Sequence, residues 1–118
     1  MKYKLLIDRL EGEYWVARNF SEIDIPIDSI FKYVFIQEAT KVELPDNDFT
    51  FKTKIVGQLK KIELKISKII MYRTQLKSIG FGCGSGVIFD GEGELMLHQM
   101  LKNKKRSQNL IMVNSYET

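Results

Sequence analysis

The chain has 118 residues, of which 44% are hydrophobic and 28% charged, and its net charge is +3. This composition excludes a disordered or low-complexity chain, and the length suits one globular domain over residues 1–118. The single cysteine excludes an internal disulfide and is typical of a reducing compartment. The charge is uneven, because residues 1–50 hold six bases and ten acids whereas residues 51–118 hold twelve bases and five acids.

The amino terminus argues against a secretory signal. The apolar run before Asp8 has only three residues, 5–7, which is too short for a signal peptide. No stretch of the chain approaches the length of apolar residues that a membrane span requires. We therefore expect a cytoplasmic protein that makes no membrane contact.

The first predicted elements form an antiparallel hairpin. Residues 3–7 and 14–17 are rich in aromatic and β-branched side chains, and Glu11 and Gly12 lie between them as turn residues.

Residues 29–37 allow two interpretations. Pro26 and Asp28 are typical of a helix start, but residues 33–36 are strong strand formers. The sequence leaves both open and favours a short helix or turn followed by a buried strand.

The middle of the chain predicts two further strands. A turn at residues 44–48 precedes residues 49–56, whose side chains alternate between apolar and polar. A connection at residues 57–59 then leads to a second alternating strand over residues 61–73. Lys68 falls on its apolar side, which predicts a bulge or a strand edge at that point.

Glycine dominates the next segment. Gly80, Gly82, Gly84 and Gly86 occupy every second position, so in a strand they would leave one face bare for close packing. A side chain added at Gly84 is therefore expected to destabilise the fold.

A helix is predicted over residues 94–105, because acids precede its apolar stripe and bases follow it, as the helix dipole favours. Residues 110–113 form a last strand. The predicted fold class is α+β with a mostly antiparallel sheet, this one clear helix and a possible second helix at residues 29–37.

The glycine run matches no nucleotide-binding or hydrolase motif. A dinucleotide-binding GxGxxG would need glycine at Ser85 or Val87, and a phosphate-binding loop would need lysine followed by serine or threonine after Gly86. A GxSxG nucleophile turn around Ser85 fails because Cys83 and Val87 stand where glycines are required. Ser85 is therefore predicted to be an ordinary sheet residue.

A thiol enzyme would have to pair Cys83 with the lone histidine, His98. Isolated Cys and His residues are usually structural, so this pairing is disfavoured. Asp90, Glu92 and Glu94 lack the spacing of a calcium loop, and no HxxxH or CxxC pattern exists. We expect no enzyme activity, no metal and no cofactor.

A basic sheet face remains as the candidate site. If the two middle strands pair through a turn at Gly57, their lysines share one polar face, with an arginine further along. The predicted partner-binding residues are Lys52, Lys54, Lys61, Lys65 and Arg73. The same lysines also suit a purely solubilising role. Nucleic-acid binding by this face is the alternative function, and it is expected to be weak because the phase of the strands places Phe49, Phe51 and Tyr72 on the opposite face.

The most distinctive segments of the chain are KYKLLIDRL…EYWVARNF and GFGCGSG, within a small Lys- and Ile-rich sequence that has no catalytic motif. In overall character the chain resembles the bacterial immunity proteins that neutralise polymorphic or contact-dependent growth-inhibition toxins. The resemblance implies a non-catalytic partner: a cognate protein toxin whose active site the protein occludes. Its basic half would then face an acidic patch of the toxin, or its acidic half a basic one.

Overall fold

A computed structural model describes residues 3–116. The elements of this range are β1 (Lys4–Glu11), β2 (Tyr14–Asn19), β3 (Ile25–Pro26), β4 (Ile30–Glu43), β5 (Phe49–Met71), β6 (Thr74–Leu76), β7 (Ser78–Ile79), β8 (Gly84–Glu92), α1 (Glu94–Asn103) and β9 (Gln108–Val113). Strands therefore dominate, with one short helix between β8 and β9.

Six of the strands close into an antiparallel barrel in the order β4-β9-β1-β2-β8-β5, and β5 pairs again with β4. The short β6 continues the sheet as a hairpin on the far end of β5, while β3 and β7 form a separate two-stranded sheet. Closure removes the free edges that an open sheet would leave along most of these strands. The barrel form was not predicted, whereas the antiparallel sheet with one helix was.

The barrel interior holds the main hydrophobic core, because alternate residues of each strand point inward. Its largest fully buried side chains include Trp15, Phe31 and Leu64. α1 covers one end of the barrel with Leu97, which is fully buried. No helix among residues 3–116 has the length and apolar character needed to cross a membrane.

The opposite end of the barrel is covered by β3 and β7. Ile25 and Ile79 pair across these two strands and are both buried in the core. Asn19 is also fully buried, and its side-chain amide donates to the backbone oxygens of Ile23 and Ile79 at 2.8 and 2.9 Å. These hydrogen bonds satisfy a buried polar group and fix the cap to the end of β2.

A second, smaller cluster lies on the outer surface of the barrel. Phe35, Ile111 and Val113 are buried there, and partly buried residues that include Ile55 and Leu59 pack over them. Because Ile55 and Leu59 belong to the bent middle of β5, this long strand contributes to both the inside and the outside of the barrel.

Several predictions are confirmed. β1 and β2 form the predicted hairpin, β9 covers the predicted last strand, and the turn before Phe49 separates β4 from β5. The predicted helix exists as Glu94–Asn103, with Glu94 in its first turn and Lys102 in its last. The register of β5 against β8 shifts between Ile66 and Lys68, which is the predicted bulge.

The possible helix at residues 29–37 is wrong, because residues 30–37 belong to β4, whereas the other interpretation, a turn followed by a buried strand, is confirmed. β4 pairs with β5 on one side and with β9 on the other, so its backbone groups are satisfied by two neighbouring strands. The helix-start signal at Pro26 instead belongs to a turn, in which the Pro26 carbonyl accepts a hydrogen bond from the Ser29 hydroxyl at 2.6 Å. Tertiary pairing has therefore overridden a local signal.

The prediction of a connection at residues 57–59 is also wrong, since β5 runs without interruption from Phe49 to Met71. Gly57 adopts a φ of 77°, and the pairing with β4 jumps from Ile36↔Val56 to Val34↔Lys60. The extra residues form a bulge that bends β5 around the barrel, which a glycine with positive φ permits.

The four alternating glycines do not share one strand. Only Gly84 and Gly86 lie in β8, and Gly80 and Gly82 belong to the turn before it. At Gly86 an added Cβ would come within 3.0 Å of the Ile70 side chain, whereas at Gly84 it would meet only the Ala17 carbonyl at 3.5 Å. The expectation of close packing is therefore correct for Gly86 and wrong for Gly84, which is exposed.

Candidate protein-interaction surface

The two groups of the disfavoured thiol–imidazole pair lie far apart. The Cys83 carbonyl accepts a hydrogen bond from the Asn19 backbone at 2.9 Å, at the end of β2. The His98 ring lies 4.7 Å from the ring of Trp15, at the start of the same strand. Four residues of extended strand span about 13 Å, so the thiol and the imidazole occupy opposite ends of the barrel.

The structure places Ser85 inside β8, where it is buried, as the sequence predicts for a sheet residue. No histidine is adjacent to Ser85 in the sequence, and its partner in the pairing of β2 with β8 is Ala17. Within residues 3–116, no three His, Cys, Asp or Glu side chains converge as a metal site would require.

The predicted basic face divides into three parts. Since β5 is continuous, Lys52 and Lys54 do not pair with Lys61 and Lys65, but face Thr40 and Glu38 of β4. The bulge at Gly57 keeps the phase of β5, since Ile55 and Leu59 on either side of it both pack on the outer cluster. In one continuous strand, Lys52 and Lys54 therefore lie on the opposite face from Lys61 and Lys65, which are an odd number of residues further along. The prediction of one shared lysine face is therefore wrong, although Lys52 and Lys54 do lie together.

Arg73 lies apart from all four lysines. It occupies the two-residue turn between β5 and β6 together with Tyr72, and both residues have positive φ angles, 63° and 50°. Tyr72 is 93% exposed. Arg73 therefore projects from a hairpin tip and does not extend the lysine face.

The most prominent surface feature is an arm formed by the outer ends of β4 and β5. β9 pairs with β4 only as far as Glu38, and β8 pairs with β5 only from Glu63 onward. Residues 39–53 therefore project from the barrel as a two-stranded ribbon, which we call the arm. The molecule measures 47 × 28 × 26 Å along its principal axes.

One side of the arm, its aromatic face, carries Lys41, Phe49 and Phe51, with Leu44 in the turn at the tip. Phe49 and Phe51 are 50% and 60% exposed, and their rings meet edge to face at 5.6 Å. The Lys41 ammonium lies 4.4 Å from the centre of the Phe49 ring. Strand alternation places Ile55, which packs on the outer cluster, on the same side of β5 as Phe49 and Phe51. The aromatic face is therefore an apolar stripe that is continuous with the outer cluster.

The other side of the arm, its lysine face, carries Lys52 and Lys54. Lys54 lies 4.0 Å from the Glu38 carboxylate, which offsets part of the charge. Toward the barrel this face leads to Val56, which borders a groove between β5 and α1. We define the groove by its lining residues Ile36, Val56, Gly57, Gln58, Lys60, Met96, Gln99, Met100, Asn103, Lys104 and Gln108, and its volume is about 360 Å³.

A salt bridge lies on the outer surface of the barrel near Lys61, one of the predicted partner-binding residues. The Lys32 ammonium donates to the Glu63 carboxylate, which joins β4 to β5. This hydrogen bond and the positive charge of Lys32 lower the pKa of Glu63 below its ordinary value. Glu63 therefore neutralises part of the charge on the side where Lys61 and Lys65 lie.

Sequence reasoning missed the arm and the groove. The alternation of residues 49–56 indicates a strand, but it does not reveal that β9 and β8 stop short of it. The sequence places Phe49 and Phe51 on the face opposite Lys52 and Lys54, which is confirmed, and within residues 3–116 the absence of a third strand beside the arm leaves both rings exposed. A comparison with known protein families, with curated proteins and with solved structures finds no match for the chain.

Proposed function

We propose that the protein is a non-catalytic protein-binding module of the immunity type, which binds a toxin domain and occludes its active site. The observation that carries the proposal is the aromatic face of the arm, where two phenylalanines stand half exposed on a projecting ribbon. Exposed aromatic side chains that are already ordered by neighbouring contacts are typical of binding hot spots in protein interfaces.

The shape of the arm suits occlusion of a concave site. A two-stranded ribbon is narrow, and residues 39–53 extend beyond the strands that flank the barrel. The β4–β5 backbone pairs hold Lys41 opposite Phe51 and Glu43 opposite Phe49, so the side chains are positioned before a partner arrives. Such preorganisation lowers the entropy cost of binding.

The local charges favour a protein partner over a nucleic acid. Glu43, Asp46 and Asp48 surround the tip of the arm and would repel phosphates. Lys52 and Lys54 lie on the face opposite Phe49 and Phe51, so the arm does not combine its paired lysines with stacking rings. We also propose a cytosolic location, which fits the single free thiol of Cys83.

The test measures binding to the product of the neighbouring gene, which the proposal expects to contain the toxin domain. We expect a dissociation constant of about 10⁻⁹ M or lower, as in other tight inhibitory complexes. Replacing Phe49 and Phe51 together by Ser should weaken binding by up to about a thousandfold, because each aromatic hot spot contributes about 2 kcal/mol, or about 30-fold. Phe81→Ser is the matched control, since Phe81 is 66% exposed but belongs to the turn before β8.

Three results would contradict the proposal. The first is the absence of binding to that toxin domain, and the second is equal weakening by Phe81→Ser and by the arm variant. The third is sequence-selective binding of oligonucleotides below about 10⁻⁶ M at physiological salt, because a merely basic protein binds them more weakly.

A further inference from the structure

We infer that the groove between β5 and α1 binds an acidic segment of the partner protein that carries apolar anchor side chains. The inference rests on the proposed function, since it names the chemistry that the groove would recognise in a protein partner. It concerns a surface separate from the aromatic face, because the lysine face of the arm leads into the groove and the aromatic face leads away from it.

The floor of the groove is apolar and adaptable. Met96 and Met100 of α1 face Ile36 and Val56 of the barrel, and all four side chains remain partly exposed. Methionine is unbranched and polarizable, so it adjusts to apolar groups of different shapes. Leucine or phenylalanine anchors of a partner segment would complete the burial of these four side chains.

The charge around the groove selects an acidic occupant. Its lining contains Lys60 and Lys104 and no carboxylate. The Lys104 ammonium donates to the Gln108 carbonyl at 2.9 Å, so it is held at the groove without an opposing anion. Lys52 and Lys54 extend the positive surface along the arm, where Glu38, the strand partner of Lys54 and Gln108, offsets part of the charge.

Amide side chains supply the remaining polar contacts. Gln58, Gln99 and Asn103 line the groove and are exposed, so their donors and acceptors are open to a ligand. Such groups suit the N–H and C=O groups of a peptide backbone, which phosphates and sugars do not offer in this pattern. The methionine floor also gives no ring on which a base could stack.

The experiment titrates the full chain with a fluorescent peptide of twelve residues in which Glu and Leu alternate. Methyl-¹³C methionine labelling reports the site directly, because Met96 and Met100 line the groove whereas Met112 is buried in the core and Met71 ends β5. We expect the methyl signals of Met96 and Met100 to shift and those of Met71 and Met112 to stay unchanged.

Charge variants provide the matched comparison. Lys60→Glu should weaken peptide binding by about tenfold, because it reverses a charge at the rim of the groove. Lys65→Glu changes the same charge on the opposite face of β5 and should alter affinity by no more than about twofold, through screened long-range attraction. A second peptide with Lys in place of Glu should not bind.

The outcomes separate this inference from the proposed function. Binding of the acidic peptide with shifts at Met96 and Met100 supports the inference. Shifts at neither methionine, equal binding of the Lys peptide, or equal effects of Lys60→Glu and Lys65→Glu would overturn it. The Phe49 and Phe51 variant could lose toxin binding while Lys60→Glu retains it. That result would support the proposed function and would show that the groove takes no part in toxin binding.

Discussion

The indole nitrogen of Trp15 donates a hydrogen bond of 2.9 Å to the carboxylate of Glu94, which joins the start of β2 to the first turn of α1. Trp15 is fully buried in the barrel, whereas Glu94 is the first residue of the helix. The bond therefore satisfies a buried donor and also places a negative charge at the positive end of the helix dipole. It holds α1 over the barrel end and so positions one wall of the groove.

Replacing Glu94 by Ala should lower the free energy of unfolding by about 1–3 kcal/mol, because the Trp15 indole would lose its acceptor while remaining buried. Glu94→Gln keeps an acceptor oxygen and should cost less. The measurement is urea unfolding followed by tryptophan fluorescence, since Trp15 is the single tryptophan. Glu92→Ala is the control, and an equal loss in that exposed variant would show that the hydrogen bond is not the cause.

Gly91→Ala should be severely destabilising, by about 3 kcal/mol or more. Gly91 has a φ of 131°, and an added Cβ would overlap the carbonyl oxygen of Glu63 on β5. Gly84→Ala in the same strand should change stability by less than about 0.5 kcal/mol, since its Cβ would make only an ordinary contact. Thermal unfolding of the two variants checks the contrast, and similar melting temperatures would refute it.

The double variant with Tyr72→Asn and Arg73→Gly should stabilise the protein by about 1 kcal/mol. Both positions have positive φ in a two-residue hairpin turn, which Asn and Gly accept with less strain than Tyr and Arg. Denaturant midpoints measure the effect. A loss of stability would mean that the Tyr72 or Arg73 side chain contributes more than its backbone costs.

The Lys32–Glu63 salt bridge should make stability depend weakly on pH in the acid range. Because Lys32 lowers the pKa of Glu63 in the folded chain, the contribution is present above the ordinary Glu pKa and is lost as the pH falls through the lowered value. Lys32→Met should return the Glu63 pKa toward its ordinary range. Carboxyl NMR titration of both proteins checks this, and an unchanged Glu63 pKa would contradict the assigned cause.

Local sequence determined much of the strand content. The apolar alternation of residues 49–56, the aromatic and β-branched residues of β1 and β2, and the charge polarity of α1 each act within one element. Lys68 also revealed a bulge, because a lysine on an apolar face conflicts with a regular ladder. These features follow from side-chain period, turn chemistry and the helix dipole, all of which depend on residues that are close together in the sequence.

Tertiary structure alone decided the closure of the barrel, the choice of strand over helix where the sequence left residues 29–37 open, and the continuity of β5 through Gly57. β4 is a strand because β5 and β9 flank it, and those partners are distant in the sequence. Gly57 is a bulge within β5 and not a hairpin turn, so Lys61 and Lys65 lie further along the same strand than Lys52 and Lys54 and on its other face. Side-chain period decides which residues share a face only once the ends of each strand are known, and the pairing with β4 decided whether the chain turns or continues at Gly57.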